Sequence, residues 1–237
     1  MSFVAILTGP ATNLQSTVDR FAQSLKVAAS LHSLHPRTAD APSRALRPAM
    51  VLCTIAAFEG FAEEILAAAL HQRGDTLYQI SEQVNFTNPD LFDLEDKIND
   101  LFNRKLGEDD PTFTLEVWRL PVGDSGWWST DVLSWEGTKY QALAWMQVRH
   151  ALTHGTASGW GSELWPGTYP AKRRGRIVPP SSTVLRETET DRYSLARRCA
   201  VNCCRIYRHG AQGLADRLAK LSKEELDWSK VPDFELE

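Results

Sequence analysis

The chain predicts an all-α fold, an up-and-down helical bundle with an irregular Trp-rich insertion and a basic loop or short hairpin. Three observations point there. Apolar residues recur every three to four positions through most of the chain. The segment after Pro48 is apolar around most of its girth, as suits a helix at the centre of a domain. Only Phe113, Leu115 and Val117 alternate with polar residues in the manner of a strand.

Taken in order, Thr12-x-x-Gln15 has the form of a capping box. Val18, Phe21, Leu25 and Ala28 follow at helical spacing, which predicts a helix over 12–34. Residues 36–47, with Pro36 and Pro42, read as a loop. Pro48 suits the first turn of the central helix, which runs to Arg73 and stops before Gly74. Its stripe is Val51, Leu52, Ile55, Phe58, Phe61, Ile65, Leu66, Ala69 and Leu70. A shorter helix is expected over 75–84. Another follows Asn88-Pro89, read as N-cap and first turn, carries Leu91, Leu94, Ile98 and Leu101, and ends at Gly107. Residues 111–137 read as a short strand followed by an irregular aromatic cover with Trp127, Trp128 and Trp135. Thr138-x-x-Gln141 marks the start of the next helix, Trp145, Val148 and Leu152 its packing stripe, and Gly155 its C-terminal cap. Residues 156–188 form a basic loop or hairpin, and a last helix spans 191–221.

The 237 residues, 43% hydrophobic and 24% charged, suit one large domain or two small ones. The reading adopted is one helical domain over 1–221, with its core at about 45–220, then an acidic tail over 222–237. That tail holds six acidic residues and two lysines, a balance equal to the whole chain's net charge of −4. The body is therefore neutral, and affinity for polyanions must come from local basic patches. No stretch approaches the roughly 20 apolar residues of a membrane span, and Met1 to Pro10 lacks the basic residues of a signal peptide. A cytoplasmic protein without membrane contact is expected. Cys53, Cys199, Cys203 and Cys204 show no paired metal-site spacing and read as small buried hydrophobes in a reducing compartment.

The chemistry concentrates in Arg149-His150-Ala151-Leu152-Thr153-His154-Gly155, at the end of an apolar helix. A guanidinium clamps phosphate and an imidazole moves a proton near neutral pH, the two needs of phosphodiester cleavage. His154 is the only histidine with an arginine five to seven residues before it, while His150 and His154 share a face. The bland alternative is a surface arginine and a histidine that merely cap the last carbonyls. Glu59 falls on the apolar arc of the central helix, between Leu52, Ile55 and Leu66. It either reaches solvent or a backbone cap, or it pairs with Arg149 and fixes its rotamer, because an embedded carboxylate demands a partner. His150 and His154 also have metal-clamp spacing, but no Glu lies between them and no third ligand is evident. No metal and no cofactor is expected.

Two basic sets are candidates for RNA contact. One is Lys172, Arg173, Arg174 and Arg176 in the loop. The other is Arg197, Arg198, Arg205 and Arg208, which share one face of the last helix opposite Leu195, Cys199, Cys203 and Ile206. That face is either simply solvated or tracks an RNA backbone. The tryptophans read as core in preference to stacking platforms.

Arg149-His150-Ala151-Leu152-Thr153-His154 resembles the signature of the HEPN superfamily (higher eukaryotes and prokaryotes nucleotide-binding): an arginine, a polar residue, a few further residues, then histidine. Ala56-Ala57-Phe58-Glu59-Gly60-Phe61-Ala62-Glu63-Glu64 resembles the first core helix of its prokaryotic, ribonuclease-like and defence-associated branch. The resemblance implies a helical bundle that acts as a metal-independent endoribonuclease and a two-fold homodimer, with Arg149 and His154 as the catalytic pair and His150 as their polar neighbour. It also implies a toxin or antiphage effector restrained by an antitoxin or sensor protein. The alternative is a non-catalytic module of the same shape that binds RNA or a nucleotide, or only dimerises.

Overall fold

The computed structural model describes residues 13–34, 41–102, 112–119, 128–154, 165–167 and 195–236. Among them are six helices: α1 (Leu14–Leu34), α2 (Ala41–Arg73), α3 (Leu77–Gln83), α4 (Leu91–Phe102), α5 (Trp135–His154) and α6 (Arg197–Ser222). One antiparallel hairpin joins β1 (Leu115–Arg119) to β2 (Ser129–Leu133), with Leu115 opposite Leu133 and Arg119 opposite Ser129. The fold is all-α, and no helix among the described residues is long and apolar enough to cross a membrane.

α2 is the axis of the core. Val51, Ile55, Phe58, Phe61, Ile65, Leu66 and Leu70 are buried around its circumference because it has neighbours on several sides. α1 packs on one flank, with the rings of Phe21 and Phe61 4.6 Å apart. α6 packs on another, with Phe58 5.0 Å from Tyr207 and Thr54 Oγ1 3.1 Å from Cys204 Sγ. α5 closes against α6, where the fully buried Tyr207 hydroxyl donates to the Ala142 carbonyl at 2.9 Å. α4, α5 and α6 are locked by Glu95, a buried carboxylate that accepts from Lys139 Nζ (2.7 Å), Trp135 Nε1 (2.8 Å) and Arg217 Nη1 (3.1 Å). Two cations and an indole N–H engage both of its oxygens, the kind of pairing a carboxylate at that depth requires.

Local signals explain several starts and stops. Thr76 and Gln79 form a reciprocal capping box on α3. Asn13 caps α1 by accepting from Ser16 N, and Thr12, the expected cap, lies outside the described residues.

The structure corrects four expectations. α2 begins at Ala41, so part of the expected 36–47 loop is helix and Pro48 lies inside it; residues 36–40 are outside the described set. An interior proline forfeits its own N–H bond and crowds the carbonyl one turn back, a cost that tertiary packing has to offset; Arg47, tied to the Leu195 carbonyl at 3.3 Å, and the buried Met50 pack this part of the helix. α4 is capped by Asp90, which accepts from Phe92 N (2.7 Å) and Asp93 N (2.9 Å), and not by Asn88. α5 starts a turn before Thr138: Ser134 Oγ caps Gly137 N at 3.2 Å, and Trp135 is already buried. The cover after β1 contains β2, whose Ser-Thr-Asp-Val-Leu sequence buries only Leu133 and so lacks the expected alternation.

Gly210 lies where α4 and α6 touch. A Cβ there would stand 2.5 Å and 2.8 Å from the methyls of the fully buried Leu91. Alanine ordinarily gains about 1 kcal/mol over glycine in a helix. At this position the overlap outweighs that gain, and Gly210→Ala is expected to lower stability by about 1–2 kcal/mol in urea titration; a stabilised variant contradicts the close approach.

Candidate functional site

The last turns of α5 divide their side chains between core and surface. Trp145, Val148 and Ala151 are buried, Arg149 and His150 are half-buried, and Thr153 and His154 are exposed. Arg149 turns inward. Its Nη2 lies 3.3 Å from Glu59 Oε1 and donates to Oε2 at 3.4 Å, and its Nη1 donates to Asn88 Oδ1 at 3.2 Å. The Glu59 and Arg149 side chains are each 20% exposed. Burial pushes the Glu59 carboxyl above its ordinary range, Arg149 pulls it back, and neighbouring Glu63 raises it again. The contacts are longer than the 2.7–2.9 Å of a tight charge-assisted pair. The guanidinium is thus oriented while keeping part of its hydrogen-bonding capacity for another anion.

The imidazoles stand at the helix end. His150 and His154 stack with centroids 6.0 Å apart and planes inclined by 22°, as side chains one turn apart can. Thr153 Oγ1 donates back to the carbonyls of Arg149 (2.9 Å) and His150 (3.3 Å), one turn earlier in the helix. Arg149 and His154 are five residues apart, hence roughly 140° around the axis. Among the described residues no contact joins them within one protomer. The site therefore brings Arg149 to Glu59, and His150 to His154, as two adjoining halves. Among the described residues no group of three His, Cys, Asp or Glu side chains is placed to hold a metal ion.

Sequence reasoning missed Asn88 as a partner of Arg149. The only available signal was the Asn-Pro dipeptide, which reads as a helix cap. Asp90, two residues on, is buried, and its desolvated carboxyl is raised even though two backbone N–H groups hold it down.

The expected basic face of α6 is not a solvent-facing stripe. Arg208 is buried, bonded to Gln212, and lies 5.8 Å from the Trp228 ring. Arg205 donates to the carbonyls of Glu116 (3.0 Å) and Phe234 (2.6 Å). Arg198 stacks on Trp118 at 4.4 Å and nears Trp128 at 5.3 Å. Arg197 Nη2 lies 3.5 Å from His32 Nε2. The β-hairpin and the segment after α6 cover this face, and the guanidinium groups serve as internal donors to carbonyls and aromatic rings. Lys172, Arg173, Arg174 and Arg176, like Gly155, lie outside the described residues.

The covering segment is the acidic stretch read as a tail. Residues 224–236 run irregularly over the core, with Trp228, Val231 and Phe234 buried and Trp228 Nε1 donating to Asp216 at 2.9 Å. Beneath it His209 Nδ1 faces Arg208 Nη1 at 3.0 Å. A guanidinium can only donate, so Nδ1 is the acceptor and Nε2, 3.5 Å from Asp233, carries the proton. Burial, with Arg208 and Arg205 alongside, pushes His209 down to about 4 from 6.5. A histidine depressed on folding stabilises the protein above its unfolded value and loses that contribution as pH falls towards the folded one. The wild type is therefore expected to lose about 2–3 kcal/mol relative to His209→Gln between pH 6.5 and 4. Parallel stability curves for the two proteins in denaturant would show that His209 titrates normally.

Comparison with family models, with curated proteins and with solved structures finds no match to this chain.

Proposed function

We propose that this chain is a HEPN-like, metal-independent endoribonuclease that works as a two-fold homodimer. The observation that carries this reading is the Arg149 guanidinium, set by Glu59 and Asn88 at the same helix end as a stacked pair of imidazoles, His150 half-buried and His154 exposed. RNA supplies its own nucleophile. One His154 removes the 2′-OH proton, O2′ forms a bond to phosphorus, and the P–O5′ bond breaks. A protonated imidazole on the opposite side gives its proton to O5′, leaving a 2′,3′-cyclic phosphate and a 5′-hydroxyl. Arg149 offsets the charge that builds on the equatorial oxygens. His150 orients the phosphate or a water.

A single imidazole does not reach both sides of an in-line displacement, so a second copy is part of the proposal. The outer face of α5 supports it. Tyr140, Leu143, Gln147, His150 and His154 recur at intervals of three and four, the spacing of a helix-packing seam. Tyr140 is 59% and Leu143 37% exposed, and Phe92 packs its ring 5.2 Å from that of Tyr140. Two copies joined along this seam about an axis parallel to α5 bring both pairs of imidazoles to the same end.

The test is cleavage of end-labelled RNA in EDTA. The wild type is expected to cut, with His154→Ala and Arg149→Ala each reduced about 10²–10⁴-fold. Arg149→Ala also strands Glu59, so its fold is checked by thermal melting, and Arg149→Lys separates charge from the planar fork. Full activity in a folded variant of either residue rejects the assignment; RNA bound but uncut by the wild type selects the non-catalytic module. Leu143→Asp is expected to sediment as a monomer and to lose cleavage, whereas an active monomer contradicts the shared site.

A further inference from the structure

Asn88 is one of two non-glycine residues with positive φ among the described residues, at 54°, and it precedes Pro89. Both features are costly. The left-handed region is unfavourable for L-residues, least so for asparagine. A following proline further restricts the backbone before it. Such a conformation persists only where its surroundings over-determine it. Here they do: Pro89 and Asp90 are buried, and Asp90 fixes the first turn of α4 through Phe92 N and Asp93 N. Asn88 itself is exposed and contributes no cap to α4. Its side-chain oxygen accepts from Arg149 Nη1.

We propose that Asn88 is a positioning residue for Arg149: the left-handed backbone carries its amide oxygen to Nη1, while Glu59 holds Nη2 from another helix. One carboxylate alone leaves the guanidinium able to swing about its long stem. Contacts at both terminal nitrogens, from α2 and from the α3–α4 connection, fix the plane of the fork as well as its position. A neutral amide does this without adding a second negative charge against the phosphate that Arg149 is to hold. The role rests on the ribonuclease reading for its consequence, but the immobilisation of Arg149 does not.

Asn88→Gly tests it, because glycine adopts the same φ without strain and deletes only the acceptor. Guanidinium ¹⁵N spectra of the full chain are the first readout. The wild type is expected to give separate Arg149 Nη signals through hindered rotation, and Asn88→Gly to merge them. Asn88→Asp, which tolerates the backbone and keeps an acceptor oxygen, is expected to retain them. Cleavage is the second readout: kcat of Asn88→Gly falls about 10–100-fold through misplacement of Arg149, with a smaller change in KM. Unchanged Nη signals in Asn88→Gly, or merged signals in Asn88→Asp as well, overturn the proposal, as does a wild-type kcat in Asn88→Gly. An inactive wild type overturns the ribonuclease reading instead and leaves the spectra to decide the placement.

Discussion

A carboxylate on the apolar arc of the central helix is the constraint from which the rest of the site follows. Glu59 packs where α2 meets α5, and its ionised form is held there by one cation. Ion pairs at this depth add little net stability, because both charges lose hydration on folding. Their effect is on geometry: a mismatched arrangement of α2 and α5 leaves an unpaired charge in an apolar interface, which is far costlier than the matched one is favourable. The pair therefore favours the register of the two helices in which Glu59 and Arg149 meet. That register directs Arg149 inward, and the helical period then leaves His150 and His154 stacked at the accessible end.

The rest of the bundle keeps that register rigid. Glu95 ties α4 to α5 and α6 through three donors, and the Tyr207 hydroxyl joins α6 to the middle of α5. On the far side of α6, the hairpin is fastened by Asn202, whose amide both accepts from Trp118 N and donates to Trp118 O, each at 2.8 Å. This satisfies backbone groups that an edge strand would otherwise leave open. Arg205 and Arg208 secure the C-terminal segment over the same helix. The arginines of α6 are therefore structural donors, and Arg149 is the arginine coupled to the histidine pair's helix end.

Much of this was legible in the chain. Helical periodicity placed the core stripe of α2, and the angular position of Glu59 against Ile55 and Leu66 set it on the apolar arc, with Arg149 as one of two readings for its surroundings. What was not legible depended on tertiary context. Pro48 and Thr138 carry ordinary start signals, but packing by Met50 and Trp135 extended both helices past them. The arginines of α6 read as a solvated or RNA-tracking face because a helical wheel treats every guanidinium as polar; their aliphatic stems bury well once carbonyls and indoles meet the head groups. The acidic segment hid Trp228, Val231 and Phe234, three anchors at intervals of three, behind its net charge. Asn88 went unseen because a contact between a loop amide and a guanidinium 61 residues away leaves no local pattern.

The proposed arrangement, an arginine at the phosphate with an imidazole on either side of it, implies one kind of bond breaking, with the ribose 2′-oxygen as nucleophile and O5′ as leaving group. The most direct measurement is therefore the chemistry of the RNA ends produced by the purified protein in EDTA. The account predicts 2′,3′-cyclic phosphate and 5′-hydroxyl termini, and no cleavage of a substrate with 2′-deoxyribose at the scissile position. Termini bearing 3′-hydroxyl and 5′-phosphate, or equal cleavage of the deoxy-substituted strand, would contradict it.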